Sequence, residues 1–357
     1  MSESGRSRNK SGRNRDSPPL PCGKSRPFPC GRGGCFNEDL AAGEVRRRVG
    51  ESMILGVSVH TVEEARQAVQ DGADYLGLGA VFPTGTKTDV DVMSRDTLQA
   101  ICGAGIQADL KTMTMNGVFA MSAVTALVAQ NTTGVKEIVE MTPAFLGAQI
   151  DAVFEDIPPD AVKIGMVASC GLIETIAERL KFYQAKNIVV DLVMVATSGD
   201  RLISEEAVDT LKTGLLPLAA VATPNIPEAE ILSGMTIRSE ADIEAAARGI
   251  GDAYGCAILL KGGHNINDAN DFLYANGVGT WFCGTRIDNP NTHGTGCTLS
   301  SAIAANLAKG FDLPTSIQRS KDYLSGALGA MLDLGKGRGP MQHNFNLTGE
   351  FAKEAEQ

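Results

Sequence analysis

The second half of the chain alternates short apolar runs, which have the length of buried strands, with longer segments typical of helices. Three of these runs are Ile188–Asp191, Ala219–Thr223 and Cys256–Lys261. Parallel strands need a long crossover, which is usually a helix, so this alternation predicts an α/β domain with a mainly parallel sheet. Two more runs flank Asn276-Gly277, a dipeptide that favours the turn of an antiparallel hairpin.

Polar side chains end or follow each of the three runs. Asp191 ends the first run, and Lys261 ends the third. Asn225 and Glu228 follow the second run. Ligands of such sheets bind at the carboxyl ends of the strands, where carboxylates suit Mg²⁺ and a lysine neutralises phosphate. Capping or ion pairing explains any one of these residues more simply, but the four in this order favour phosphoryl transfer.

The run Asn291–Leu299 places two glycines ahead of a predicted, closely packed helix. A helix N-terminus carries unpaired N–H groups, and glycines let the backbone approach a ligand, so the run predicts a phosphate-binding loop. An ordinary glycine-containing loop before a core helix is the alternative. Cys297 stands in the first turn, where we expect its thiol pKa to fall. It is interpreted as a base or hydrogen-bond partner, or else as a small buried residue.

A second glycine-rich run, Gly335–Pro340, follows a predicted helix rather than a strand. It therefore does not match a dinucleotide-binding fingerprint, and it is interpreted as a flexible loop near the site or as a linker. The sequence contains no Gly-x-x-x-x-Gly-Lys-Ser/Thr motif, which excludes the P-loop class of kinases.

Residues 36–102 have the pattern of a smaller strand–helix–strand unit. Met53–Val59 is a predicted strand, Val62–Gln70 a helix capped by Thr61, and Tyr75–Gly79 a second strand. The two strands are expected to be parallel. A polar loop, Pro83–Asp89, follows the second strand at the end where ligands bind in such folds.

Charge is unevenly distributed along the chain. Residues 1–35 contain eight lysines and arginines and two acids, although the whole chain has a net charge of −10. We interpret this extension as disordered; an RNA-binding arm, a transit peptide and a metal site formed by Cys22, Cys30 and Cys35 are less favoured alternatives. The acidic remainder argues against nucleic acid as a partner, and no apolar run is long enough for a membrane span. The eight cysteines form no Cys-x-x-Cys pair, so we expect reduced thiols and a cytoplasmic location.

Residues 103–350 closely resemble the hydroxymethylpyrimidine and phosphomethylpyrimidine kinases of thiamine biosynthesis, which belong to the ribokinase-like superfamily. The resemblance implies a three-layer α/β/α domain, ATP and Mg²⁺ as cofactors, a small pyrimidine substrate and a homodimer. The expected reaction is phosphorylation of 4-amino-5-hydroxymethyl-2-methylpyrimidine and of its monophosphate. The matching stretches are Gly103–Lys111, Thr125–Thr132, Lys163–Met166, Thr223–Glu228, Lys261–His264 and Asn291–Leu299.

The same resemblance implies a role for individual residues. Gln130 would hydrogen-bond the aminopyrimidine, and Lys261 would contact phosphate. Asp191 and Glu228 would hold Mg²⁺, through ATP or water, with Asn225 beside the nucleotide. The other residues that the resemblance places around the pyrimidine are Asp109, Val128, Met166 and Val193. Those that it places in an anion hole are Gly294, Thr295, Gly296 and Cys297.

Residues 36–102 look like a different enzyme, thiamine phosphate synthase, which is a TIM-barrel protein. The matching stretches are Ile54–Thr61, Ala73–Gly77 and Phe82–Asp89. A closed eight-stranded barrel needs about 200 residues or more, so we interpret this part as a partial barrel fragment without synthase activity. The resemblance assigns phosphate, thiazole and metal contacts to five residues: Ser58, Thr84, Thr86, Lys87 and Asp39.

The kinase-like part departs from its family at its beginning. The strand and turn that ordinarily precede Gly103 are missing, and Ile101-Cys102 leads directly into the first helix. We hypothesise that the strand Tyr75–Gly79, or another strand of the fragment, fills the gap. Two alternatives to the pyrimidine kinase stay open: a pyridoxal-type kinase, and a truncated fusion that binds ligand without turnover.

Overall fold

A computed structural model describes residues 42–49, 56–59, 62–73, 75–78, 105–194, 203–262 and 269–349. The chain divides into two compact units, Met1–Val92 and Met93–Gln357. The predictions for residues 1–35 and for His264 lie outside the described residues. The same holds for four residues of the synthase-like part: Asp39, Thr84, Thr86 and Lys87.

The first unit contains a βαβ element. Helix α1 (Ala42–Val49) precedes strand β1 (Gly56–Val59), helix α2 (Val62–Gln70) and strand β2 (Tyr75–Leu78). The strands are parallel neighbours in a two-stranded sheet, which confirms the predicted strand–helix–strand unit. Ser58 lies within β1.

The second unit is built on a six-stranded sheet with the order β10-β9-β8-β7-β6-β5. Strands β5 to β8 are parallel, and β9 and β10 are antiparallel, which confirms the predicted mainly parallel sheet. The strands and helices of this unit are α3 (Ile106–Met115), β3 (Ala126–Asn131), β4 (Gly134–Glu140), α4 (Pro143–Asp156), β5 (Val162–Ile164), α5 (Cys170–Phe182), β6 (Ile188–Val190), α6 (Glu205–Gly214), β7 (Val221–Ala222), α7 (Ile226–Ser233), α8 (Glu240–Tyr254), β8 (Ala257–Leu260), β9 (Asp271–Ala275), β10 (Val278–Phe282), α9 (Thr295–Ala308) and α10 (Leu313–Gly329).

Helices cover both faces of this sheet. Adjacent residues of β6 belong to different apolar clusters, because successive side chains of a strand point to opposite faces. Val190 packs in a cluster with residues of α4 to α8, and Val189 packs with Leu299 and Ile303 of α9. This is the expected three-layer α/β/α arrangement. No helix within the described ranges has the length and apolar content that a bilayer span requires.

The turn between β9 and β10 follows the sequence prediction. Asn276 and Gly277 have φ values of 51° and 80°. Two successive residues with positive φ form a type I′ turn, whose twist matches that of the flanking strands. Asparagine and glycine adopt this conformation at low cost, so the dipeptide fixes the hairpin locally.

The hypothesis that the strand Tyr75–Gly79 completes the kinase sheet is wrong. Among the described strands, β1 and β2 pair with each other, and β5 is the end member of the six-stranded sheet. The two strands of the βαβ unit are joined by one helix and pair with each other in parallel, so the ladder of β2 is formed within its own unit.

A second hairpin, β3–β4, was not predicted from the sequence. Its strands are antiparallel, with a register shift between Ala129 and Gln130, and they form a two-stranded sheet of their own. All residues of β4 except Val139 are exposed, so this strand lacks the apolar alternation by which a half-buried strand is recognised.

Candidate active site

Asp191 and Lys261 meet at the carboxyl edge of the sheet. They follow the parallel strands β6 and β8, and Thr223 follows β7 between them. The Lys261 ammonium lies 3.0 Å from Oδ1 of Asp191, and the Thr223 hydroxyl donates to the same oxygen at 3.2 Å. Asp191 is only 3% exposed, so this carboxylate is held by buried partners rather than by water. The sequence-predicted pair is therefore brought together.

The N-terminus of α9 lies against this pair. Gly294 caps the helix with a φ of 88°, a left-handed conformation that glycine adopts without strain, and its carbonyl accepts the N–H of Thr298. A side chain at Gly296 would place its Cβ 3.5 Å from Nζ of Lys261 and 3.6 Å from Oδ2 of Asp191. The first amides of a helix have no intrahelical acceptor, so this end presents N–H donors next to a lysine. An anion placed here would contact both.

A second buried ion pair, Lys163–Asp109, was missed by the sequence reasoning. Nζ of Lys163 lies 2.9 and 3.0 Å from the two carboxylate oxygens of Asp109, and the lysine side chain is 3% exposed. The Ser301 hydroxyl of α9 also donates to Asp109 at 2.7 Å. Asp109, which the family resemblance places around the pyrimidine, is therefore already held by a cation. The available signal was a lysine inside the otherwise apolar strand β5.

Lys163 owes its position to the glycine two residues further on. A Cβ at Gly165 would lie 2.9 Å from the ammonium nitrogen, closer than real Cβ contacts come. The Lys163 ammonium therefore occupies space that a side chain at position 165 would share. This requirement is visible in the tertiary structure and not in the motif.

The electrostatics of Cys297 contradict the sequence prediction. Burial raises the pKa of its thiol to about 11; Lys163 and Lys261 oppose this shift, and Asp191 and Asp109 add to it. The expectation of a lowered pKa is wrong because loss of water around the sulfur outweighs the neighbouring cations. At neutral pH Cys297 is therefore a thiol and not a thiolate.

The two lysines keep their charge. Burial alone would lower the pKa of Lys163, but the charges of Cys297, Asp109 and Asp191 more than offset it, and the pKa is raised. Lys261 shows the same balance, with Asp191 and Glu228 as its largest opposing charges. Burial favours protonation of Asp191, yet Lys261 and Lys163 lower its pKa. The site therefore holds two ammonium groups, each paired with a carboxylate, beside the α9 terminus.

Asn225 and Glu228 form a capping box at the start of α7. The Asn225 side chain accepts the N–H of Glu228 at 2.9 Å, and Glu228 accepts the N–H of Asn225 at 2.8 Å. The other oxygen of Glu228 accepts the N–H of Met194 at 3.2 Å. Burial, the largest cause, raises the pKa of Glu228. The capping alternative is thus realised, and the remaining lone pairs of the carboxylate still lie within electrostatic reach of Lys261 and Asp191.

Besides Asp109 on α3, the residues predicted around the pyrimidine lie on three segments. Val128 and Gln130 are on β3, Met166 follows β5, and Val193 follows Asp191. Thr125 at the base of the β3–β4 hairpin donates to the carbonyl of Met166 at 3.0 Å. This bond joins the hairpin to the strand end that follows Lys163.

Two family descriptions match the chain. The one for phosphomethylpyrimidine kinase matches residues 99–342, and the one for thiamine monophosphate synthase matches residues 35–139. The thiamine biosynthesis bifunctional protein ThiED of Geobacter sulfurreducens is 38% identical over 84% of this chain and 76% of its own length. The hydroxymethylpyrimidine/phosphomethylpyrimidine kinase of Salmonella typhimurium is 44% identical over 68% of this chain and 92% of its own length.

Solved structures share the fold. A phosphomethylpyrimidine kinase of Clostridium difficile has 43% identity and a TM-score of 0.57, over 63% of this chain and 93% of its own. A Bacillus subtilis pyridoxal kinase, solved as an ADP complex, has 34% identity and a TM-score of 0.63, over 68% and 92%.

Helix-terminal donors and buried cations at the edge of a parallel sheet define a phosphotransferase of the ribokinase-like fold. The chain belongs to the phosphomethylpyrimidine kinase family, since that family's description covers more than half of it. Both resemblances found in the sequence are thereby confirmed.

Proposed function

We propose that this chain transfers the γ-phosphoryl group of ATP to hydroxymethylpyrimidine and then to its monophosphate, a reaction of thiamine biosynthesis. The observation that carries this proposal is the contact of the α9 terminus with the Lys261–Asp191 pair, beside the second cation Lys163. Phosphoryl transfer needs positioning and charge stabilisation more than covalent chemistry, and this site supplies both.

In this proposal the anion hole consists of Gly294, Thr295, Gly296 and Cys297. Their backbone donors hold the transferring phosphoryl group, and Lys261 neutralises its charge. The Cys297 thiol, protonated because of its raised pKa, donates a hydrogen bond there. A thiol with a pKa of about 11 is a poor general base at neutral pH, and a loose transition state requires little proton removal from the hydroxyl before transfer.

In this proposal the nucleotide binds beside Asp191 and the start of α7. Asp191, Asn225 and Glu228 provide carboxylate and amide oxygens, the donor set that Mg²⁺ prefers. Asp191 adds to the raised pKa of the buried Glu228, and a divalent cation would offset this repulsion, so the residues fit a Mg²⁺ ion held directly or through water. When bound, Mg²⁺ supplies charge neutralisation on the phosphates; the protein residues orient the nucleotide.

The acceptor ring is assigned to the β3–β4 side. Gln130 would hydrogen-bond the aminopyrimidine, and Asp109, Val128, Met166 and Val193 would surround it. Lys163 holds both oxygens of the Asp109 carboxylate in place, and carboxylate oxygens accept hydrogen bonds. An amino group donates hydrogen bonds, so a fixed acceptor suits an aminopyrimidine better than it suits a ring that has no amino group.

The decisive test is turnover. Purified protein with ATP, Mg²⁺ and hydroxymethylpyrimidine should form the monophosphate and then the diphosphate, separated by anion-exchange chromatography with ADP measured in parallel. Cys297→Ala should lower the rate strongly. When pyridoxal competes with hydroxymethylpyrimidine, pyridoxal should be the poorer substrate. Preferential phosphorylation of pyridoxal would instead support the alternative of a pyridoxal-type kinase. This alternative has support in the structural similarity to a pyridoxal kinase.

A non-catalytic fusion predicts a different result. Such a protein would be stabilised by Mg-ATP in a thermal shift measurement, because binding to the folded state raises its melting temperature, yet it would form no product. If the wild type forms product and Cys297→Ala forms less of it, the non-catalytic alternative is excluded.

We also propose a homodimer in the cytoplasm, without nucleic acid or membrane partners. The described cysteines Cys170, Cys256, Cys283 and Cys297 are free thiols, as expected in a reducing compartment. The β3–β4 hairpin exposes Val135 and Ile138 at 56% and 46%, apolar surface that a second copy would cover. Light scattering should give a mass twice that of the chain. Val135→Glu should shift the measured mass towards that of a single chain.

A further inference from the structure

The glycine-rich run Gly335–Pro340 joins two parts of the candidate site. At one end, the N–H groups of Lys336 and Gly337 both donate to the hydroxyl oxygen of Thr132, each at 3.1 Å. Thr132 lies in the turn between β3 and β4, two residues after Gln130. The turn of the hairpin is therefore bound to the run that follows α10.

The other end of this run is bound to the loop before α9. The N–H of Gly339 donates to Oδ1 of Asn291 at 2.8 Å, and the N–H of His293 donates to the carbonyl of Gly339 at 3.3 Å. Asn291 is itself buried and donates to the carbonyl of Leu332 at 2.7 Å. Three residues later the chain reaches Gly294, which caps α9.

The alternation of glycines in the run follows from these contacts. A Cβ at Gly335, whose φ is 93°, would lie 2.5 Å from the Thr132 side chain, and one at Gly337 would overlap the Thr132 carbonyl. A Cβ at Gly339 would lie 2.6 Å from Oδ1 of Asn291. Each glycine thus permits a close backbone approach, either to the hairpin turn or to the loop before α9.

Few other bonds hold this hairpin. Its two strands pair with each other rather than with the six-stranded sheet, and β4 is almost wholly exposed. At its base, Thr125 donates to the carbonyl of Met166. At its tip, the Thr132 hydroxyl is the acceptor of two backbone donors. The Thr132 side chain therefore ties the tip of the hairpin to the run.

We propose that Thr132 and the Gly335–Pro340 run form a latch that sets the position of the β3–β4 hairpin relative to the α9 anion loop. Thr132 is a positioning residue: it touches neither the acceptor ring nor phosphate, and acts through the segment that carries Gln130. This inference rests on the proposed function, in which the hairpin contacts the acceptor. Its consequence is specific to the acceptor, because the nucleotide residues lie on the sheet edge.

The test compares Thr132→Val with Thr133→Val. Valine keeps the shape of threonine and removes the hydroxyl; the Thr133 hydroxyl donates locally to Asn131, at 2.6 Å, which makes it a matched control. We expect Thr132→Val to raise the KM for hydroxymethylpyrimidine about tenfold, which corresponds to about 1.4 kcal/mol, because two hydrogen bonds to the hydroxyl are lost. The KM for ATP should stay within about twofold of wild type, and Thr132→Ser should restore the acceptor KM.

Hydrogen exchange provides a second readout that does not depend on turnover. Amides of residues 126–140 should exchange faster in Thr132→Val than in Thr133→Val, with residues 188–194 unchanged. An unchanged acceptor KM together with unchanged exchange would overturn the latch, as would an equal rise in both KM values. If the wild type shows no turnover, the proposed function fails, and exchange in the hairpin still decides whether Thr132 holds it.

Discussion

The phosphate side and the acceptor side of the candidate site differ in how they are built. On the phosphate side, Asp191 and Lys261 follow β6 and β8 of a sheet with apolar packing on both faces, and the first turn of α9 lies against them. On the acceptor side, Gln130 lies on a two-stranded hairpin outside that sheet, tied through Thr125 and Thr132. The comparison shows where rigidity is needed: a developing charge requires fixed donors, whereas an entering ring requires a segment that opens.

The Lys163–Asp109 pair stands between the two sides, and breaking it should have the largest effect. Lys163→Met leaves the Asp109 carboxylate without its cation, which should cost about 3 kcal/mol of unfolding free energy. Denaturant unfolding measures this. Lys136→Met, on exposed β4, is the control and should stay within about 0.5 kcal/mol of wild type.

A double variant separates charge from packing at the same place. Lys163→Met with Asp109→Asn removes both charges and keeps an acceptor for Ser301, so it should regain a large part of the lost stability. A double variant no more stable than Lys163→Met alone would show that the cost lies in packing, and the pair would then not be the electrostatic link between the two sides.

Loss of Lys261 should affect the phosphate side alone. Lys261→Met removes the charge beside the α9 terminus and should reduce kcat by about 10²–10³, the range measured when a transition-state donor is removed. The KM for hydroxymethylpyrimidine should change little, since the acceptor side keeps its contacts. Steady-state kinetics decide this. A raised acceptor KM at an unchanged kcat would assign Lys261 to binding and contradict the division.

The raised pKa of Cys297 predicts slow alkylation. With a pKa of about 11, the thiolate fraction at pH 7 is small. Iodoacetamide should therefore modify Cys297 on the order of a hundredfold more slowly than the exposed Cys283. The rate should rise with pH until about pH 11, because the thiolate is the nucleophile. Peptide mass spectrometry resolves the two cysteines. A rate that levels off below pH 8 would indicate a thiolate in the resting site.

The smallest effect is expected at Gly165. Gly165→Ala introduces a Cβ 2.9 Å from Nζ of Lys163, which must shift away from Asp109. Overpacking of this kind costs about 1–3 kcal/mol, and we expect the lower end because a lysine side chain is flexible. Equilibrium unfolding measures the change, and Gly249→Ala on α8, where nothing lies within 4 Å of the added Cβ, is the control. Equal stability of the two variants would show that Lys163 has room to move.

Much of the phosphate side could be predicted from the sequence. Asp191 and Lys261 end apolar runs, and parallel strands bring such ends to one edge. The glycine ahead of α9 indicates a backbone conformation that other residues avoid, and Gly294 has the left-handed φ of 88°. The roles assigned to these residues stay proposals, but their contact follows from local pattern and fold class.

The acceptor side and the charge states could not be predicted in the same way. Strand β4 has no apolar alternation, so the sequence contains no periodic pattern that would predict the hairpin or the latch. The Lys163–Asp109 pair joins residues 54 positions apart, and its geometry depends on the missing Cβ of Gly165. The expectation that Tyr75–Gly79 enters the kinase sheet was wrong because strand pairing was settled within its own βαβ unit.

The sequence alone determined the alternation of strands and helices, the turn at Asn276-Gly277 and the order of polar strand ends, because each depends on residues close together in the chain. The tertiary structure alone decided which charges meet and how much water they lose. Cys297 shows the difference: its place at a helix N-terminus predicts a lowered pKa, whereas its burial among fixed charges raises the pKa to about 11. Solvation depends on what folds around a group, and that information is not local.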